Sequence, residues 1–322
     1  MLPHTHTTLA RPAQVWTALS LVYILWGSTY LGIAVVVSGA PPLLAAGTRF
    51  AAAGLIVAIV VAIRLGWRAL AINRRQLAGT ALIATMLLGI GNGGVSLAER
   101  YVPSSASALI IASVPLWVIL LRAWSRERPA AITWVGVAFG LAGVVALVAV
   151  LGHDDPAPGD GYIDVPGWQV ALWLVVILLG TLTWALGSFM SPRIVKSGWA
   201  PDNSMVMVTW QFLIAGALLA AFGLTRSEDP GALTHVDTRT FVAWLLIVVG
   251  AVVAYSRYTW LLQNAPISLT STYAYVNPLV AMFLGWLLLS EPMEPMVLGS
   301  AALIIVGVLL VVRGETRVRD SP

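Results

Sequence analysis

Apolar residues in this chain are gathered into runs close to 20 residues long, separated by short polar connections, from about residue 16 to residue 312. A helix needs about 20 apolar residues to cross ~30 Å of hydrocarbon. The pattern therefore predicts spans at 16–37, 42–63, 76–97, 102–121, 133–151, 168–190, 205–224, 241–262, 267–289 and 296–312. The runs do not alternate in period two as barrel strands do. Every backbone group in lipid needs an internal partner, so β-branched content does not turn such a run into a strand. The expected fold is an all-α polytopic membrane protein with ten transmembrane helices. The first run lacks a small-x-small cleavage site and reads as a retained helix.

The pattern repeats. YVPSSASALIIASVPLWVILL at 101–121 is echoed by NAPISLTSTYAYVNPLVAMFL at 264–284, an offset of 163 residues. Pro103 aligns with Pro266 and Pro115 with Pro278. TRFAAAG at 48–54 resembles WQFLIAG at 210–216. Five spans per half is an odd number, so the second half enters the membrane from the opposite side. The expectation is two inverted-topology repeats, a form common among secondary transporters. The boundaries are an N-terminal tail at 1–15, a first repeat at 16–151, a linker at 152–167, a second repeat at 168–312 and a C-terminal tail at 313–322.

Composition agrees: 59% of residues are hydrophobic and 10% charged, against roughly 25% charged in soluble domains. Charge then orients the chain. Thirteen of the eighteen basic residues fall on the side holding both termini, from Arg11 to Arg319. The positive-inside rule puts that side, and both termini, in the cytoplasm. Asp154, Asp155, Asp160 and Asp164 mark the linker as extracytoplasmic. With no cysteine, and four histidines outside the apolar runs, no metal site or thiol nucleophile is expected. Walker, dinucleotide and metalloprotease patterns are absent, and GIGNGG at 89–94 lies inside a span, as close packing or a hinge. No enzyme activity, cofactor or nucleic-acid partner is expected. Active transport would then run on an ion or substrate gradient, or on a separate partner.

WGSTYLGI at 26–33, RF at 49–50, AERYVPSSASALI at 98–110, ASVPLW at 112–117 and YVNPLVAMFLGWLLLSEP at 275–292 together resemble the EamA family of the drug/metabolite transporter superfamily. The resemblance runs from about Trp16 to Val312. It implies a multi-pass carrier of the bacterial inner membrane, often an exporter of amino acids or other small metabolites. It implies no particular substrate or coupling. Leu262 and Gln263 stand where Glu99 and Arg100 would repeat, so the halves are functionally unequal.

Several residues could carry transport. Trp26 and Tyr30, four apart on one helix face, form a cavity wall or pack against neighbours. Arg49 lies about seven residues into its span, roughly 10 Å along the axis. A cation there costs at least ~2.5 kcal/mol at mid-membrane. It therefore binds a substrate carboxylate, or clamps to Glu99 or to carbonyls. Glu99 exchanges a proton, pairs with Arg49 as a gate, or caps a helix in solvent. Gln211 stands where Arg49 would repeat. Tyr273 and Asn277, four apart in an unusually polar span, are further cavity candidates. Pro103, Pro115, Pro266 and Pro278 are the expected helix breaks. Pro192 reads as a loop boundary, and Glu291 and Glu294 as solvated termini. The expected function is alternating-access secondary transport of a small molecule across the lipid bilayer, with protons as a coupling ion to be tested. An uncoupled facilitator is the alternative, ahead of a drug or lipid transporter. Monomer and homodimer both stay open.

Overall fold

A computed structural model describes residues 12–125, 130–153, 162–265, 267–270, 273–291 and 293–319. Pro266 and most of the acidic linker lie outside the described residues, as do Ser271 and Thr272; of Ser268 and Tyr275 only the backbone is described.

The chain is all-α among the described residues. The helices are α1 (Pro12–Gly39), α2 (Pro42–Leu65), α3 (Arg74–Ala98), α4 (Ser104–Trp124), α5 (Ala131–His153), α6 (Gly167–Lys196), α7 (Ser204–Thr225), α8 (Thr238–Asn264), α9 (Tyr273–Leu289) and α10 (Pro295–Arg319). The first eight are long and apolar enough to cross a membrane; α9 and α10 contain shorter apolar stretches, Val276–Leu289 and Pro295–Val311. Leu55, Ile63, Leu246 and Phe283 are among the large apolar side chains left exposed. Such a surface suits lipid and not water.

Local signals begin several helices. Asn73 and Gln76 form a capping box at the start of α3, with Gln76 N–H donating to Asn73 Oδ1 at 2.9 Å. Asn203 accepts from Met205 N–H and Val206 N–H, and Asp237 from Thr240 N–H at 2.7 Å. That last bond, first among its causes, holds the Asp237 carboxyl below the usual carboxylate range. By contrast α2 and α4 begin after Pro41 and Pro103, which offer no capping side chain. Their free N–H groups are met from the far half of the chain. Leu43 and Leu44 N–H donate to Glu228 at 3.2 and 2.8 Å. Ser104 and Ser105 N–H donate to Glu291 at 2.9 and 3.1 Å.

Contacts between helix ends define two faces. The carboxylate face joins the end of α1 to the start of α8, the start of α2 to the end of α7, and the start of α4 to the end of α9. The basic face carries Arg64, Arg68, Arg74, Arg75, Arg193 and Lys196 and joins Leu70, after α2, to Trp210 of α7. Packing is reciprocal about the centre of the chain. Helix α2 packs on α7 and α5 on α10, while α1 meets α8 and α9 much as α6 meets α3 and α4. Where α5 crosses α10, a Cβ on Gly307 would strike the backbone of Gly136 and Gly140, so only glycine permits that approach.

Two helices depart from regular geometry. Thr85–Asn92 of α3 is a π-helix, an irregularity frequent at functional sites. Helix α4 is interrupted at Ala112 and Ser113, and Pro115 sits in the first turn of its second segment. Ser113 and Trp117 hold this break against Thr181 of α6, at 3.2 and 2.9 Å. Elsewhere the prolines expected to break or bound helices do not. Helix α6 continues through Pro192 and α9 through Pro278. Each proline deletes one backbone bond, a loss that surrounding helices can tolerate in a bundle. Pro103 directly precedes the first residue of α4.

Candidate functional site

Eight helices, α1 to α4 and α6 to α9, converge on a central cavity with about 770 Å³ of empty space, part of it open to the surroundings. Trp26 and Tyr30 reach it from α1, Arg49 and Phe50 from α2, and Asn92 from α3. Thr181 and Trp184 come from α6, Tyr255 from α8 and Tyr273 from α9. Among the described residues, α5 and α10 supply none of the lining; they pack on one another outside it. The wall is largely apolar and aromatic with a few polar groups, the usual make-up of a small-molecule site.

Arg49 is the charged residue of that wall, 2% exposed. Its guanidinium donates to Asn92 Oδ1 and lies 4.3 Å from the centre of the Phe50 ring. Its Nε has no hydrogen-bond partner. The partner is thus a neutral amide. Asn92 ends the π-helical segment of α3, and in the sequence it reads only as one residue of a glycine-rich stretch. No hydrogen bond joins Arg49 to Glu99, so the expected direct clamp between them is not formed.

An aromatic cluster adjoins the guanidinium. Trp26 meets Trp184, Tyr258 and Tyr273 at centroid distances of 5.7, 4.8 and 5.0 Å, drawing together α1, α6, α8 and α9. Phe50 stacks on Phe212, which contacts Tyr255 at 5.1 Å. The Tyr255 hydroxyl donates to Gln211 Oε1 at 2.9 Å. Gln211 and Asn277 therefore stand behind the wall and do not line it. Asn277, with its amide turned to donate to the carbonyls of Tyr273 and Tyr23 at 3.2 Å, presents its oxygen toward the Tyr30 hydroxyl.

Glu99 is 1% exposed at the carboxylate-face end of α3, and neither oxygen is hydrogen-bonded. A solvated cap is excluded by that burial. Glu291 is likewise 2% exposed and not a solvated terminus, while Glu294 is exposed. The α9–α10 connection turns Glu291 inward onto the start of α4, where it also accepts from the Ser104 and Tyr162 hydroxyls, each at 2.6 Å. Burial, and then the Glu291 charge, push the Tyr162 phenol up, so it stays a donor.

An all-α bundle with an apolar surface and a central cationic cavity defines a polytopic membrane transporter. Comparison with known proteins gives the family. The sequence profile described as the EamA-like transporter family matches residues 15–149 and again 171–313. The chain belongs to that family, within the drug/metabolite transporter superfamily, and is a small-molecule transporter of the bacterial inner membrane. It is 32% identical over 299 residues to the uncharacterized inner membrane transporter YedA of Escherichia coli K12, covering 92% of this chain and 90% of the relative. It is 22% identical over 303 residues to the uncharacterized transporter YoaV of Bacillus subtilis 168, covering 92% and 96%. A solved structure, described only as a crystal structure of protein, shares the fold with a TM-score of 0.63 at 17% identity, over 94% of this chain and 98% of that one.

Proposed function

We propose that this protein is a secondary active transporter that exports amino acids or other small metabolites by alternating access. The observation carrying this reading is Arg49, a buried guanidinium in the central cavity whose hydrogen-bond partner is the neutral Asn92. A cation whose hydrogen-bond partner is a neutral amide suits a solute carboxylate, which pairs with arginine in bidentate fashion. Trp26, Tyr30 and Tyr273 would enclose the rest of the solute, with Gln211 and Asn277 supporting the wall. Export is the direction that the family resemblance implies.

The proposed architecture is ten spans in two inverted repeats, at 16–151 and 168–312, with both termini cytoplasmic. The reciprocal packing of α1–α8 with α6–α3, and the double match of the family profile, support it. The test is flux into proteoliposomes holding the purified protein, using pooled labelled amino acids and small metabolites with and without a pH gradient. Gradient-driven accumulation abolished by an ionophore supports coupled transport. Equilibration without accumulation replaces it with a facilitator, and no flux of any pool overturns the substrate class.

A further inference from the structure

Two buried carboxyl groups, Glu99 and Glu291, lie within electrostatic reach of one another at the carboxylate face, in opposite surroundings. Four donors converge on Glu291: the Ser104 and Ser105 N–H groups and the Ser104 and Tyr162 hydroxyls. Among the described residues none reaches Glu99 in hydrogen-bonding geometry, although both its oxygens are buried. The Ser107 hydroxyl of α4 faces Glu99 and is itself buried without a partner. The titratable and charged groups facing Glu99 are Tyr30 from α1, Arg49 from α2, Tyr162 ahead of α6 and Glu291. Arg100, next in the chain, is half-buried.

The two groups differ in what they hold. Glu291 ties the α9–α10 connection to the start of α4, so it latches the second half of the chain to the first. Glu99 sits beside that latch with both oxygens free to bind a proton. Burial first, and the Glu291 charge second, hold the Glu99 carboxyl well above the usual carboxylate range, against the smaller pull of Arg49 and Ser107.

We propose that Glu99 is a proton-binding site linked to the latch: its carboxyl carries the proton while Glu291 holds α4, and losing that proton releases the hold. The step is a simple dissociation. The Glu99 O–H bond breaks, the proton passes to water at the carboxylate face, and the carboxylate keeps the electron pair. Two neighbouring carboxylates then repel in a dry setting, and separation of α4 from the α9–α10 connection relieves them. The sign follows from linkage. The latched form binds the proton more tightly than the released form, so it is favoured at low pH and lost as pH rises through the latched-state value. The inference deepens the transport reading by naming the site of a coupling ion, and it can be tested without a substrate.

The chain has no cysteine, so single thiols can be introduced directly. Detergent-solubilised full-length Ser105→Cys would be labelled with a charged maleimide across pH, with exposed Ser38→Cys as the reference for thiol ionisation. The ratio of the two rates is expected to climb by up to about tenfold per pH unit, the limit for one proton. Adding Glu99→Gln should leave the ratio flat. A ratio that still climbs in Glu99→Gln overturns the proposal. Infrared titration gives a second readout that survives failure of that variant to fold. In Glu291→Gln the protonated-carboxyl band of Glu99 should titrate at lower pH than in the native chain, because one negative neighbour is gone. An unmoved titration, or a Glu99 that is already ionised at mildly acidic pH, also overturns it. A protein that moves no solute in the flux screen but titrates as described loses the transport reading and keeps the proton site.

Discussion

Arg49 spends its resolved hydrogen bond on Asn92, and because that partner carries no charge the guanidinium keeps its full positive charge in the cavity wall. If this charge holds an anionic solute, a competing internal anion should displace the solute. Asn92→Asp supplies one at the same position and almost the same volume. A hydrogen bond to a charged group is worth about 1.5–3 kcal/mol, so flux of anionic solutes should fall roughly 10- to 150-fold. Membrane abundance and melting temperature should hold, since the new pair is internally neutral. Arg49→Ala should abolish the flux outright. Asn92→Asp transporting anions as well as the native protein would remove Arg49 from the solute site.

Glu228 makes a second prediction, on the same face as Glu291 but independent of the proton site. It reaches the start of α2 from beyond α7 and accepts from Leu43 and Leu44 N–H, where Pro41 cannot cap. Glu228→Ala leaves those donors free. Loss of a helix cap costs about 1 kcal/mol, or roughly fivefold in a local opening equilibrium. Hydrogen exchange by mass spectrometry should therefore speed up about that much at the first turn of α2, with the centre of the helix unchanged.

Much of the fold can be read from the sequence because lipid imposes a simple rule: an apolar run of the right length becomes a helix. Helices α1 to α8 follow it closely. Arg49 stands out for the same reason, since a cation inside such a run needs an explanation. What cannot be read are facts created by contact between distant segments. Glu291, beside Pro292 and Glu294, looks like part of a polar turn, and its partner Ser104 lies 187 residues away. Asn92 meets Arg49 from the last residue of a π-helical segment, which nothing in GIGNGG declares. One signal was available. Pro41 and Pro103 stand where a capping side chain is normally found, and the N–H groups that follow them must be satisfied from elsewhere.

Orientation gives a third prediction. Arg64, Arg68, Arg74, Arg75, Arg193 and Lys196 gather on one face, and the positive-inside rule assigns that face to the cytoplasm. Exposed Ser38, at the end of α1, and exposed Ser197, just after α6, lie on opposite faces. In intact cells an impermeant thiol reagent should label Ser38→Cys and leave Ser197→Cys untouched until the membrane is permeabilised. The reverse labelling pattern would invert the topology.

The crossing of α2 and α7 sets the position of Arg49, and glycine makes that crossing possible. A Cβ on Gly216 of α7 would lie 2.8 Å from Ala51 N and 2.9 Å from Gly47 O, both backbone atoms of α2. Backbone cannot move aside as a side-chain tip does, so Gly216→Ala must push the helices apart. Overpacking of this kind typically costs 1–3 kcal/mol, and a lower melting temperature in detergent should record about that loss. Gly299 of α10 is the matched control, because a Cβ there would meet nothing within 4 Å. Alanine is better than glycine in a helix by up to about 1 kcal/mol, so Gly299→Ala should melt at the native temperature or slightly above. The two substitutions add the same methyl group to the same residue type, and opposite shifts would isolate the backbone approach as the cause. Because α2 also carries Arg49 and α7 carries Phe212, Gly216→Ala should weaken flux more than its stability loss alone predicts, whereas Gly299→Ala should leave flux unchanged. Equal melting temperatures for the two variants would mean that the α2–α7 approach is looser than its geometry indicates.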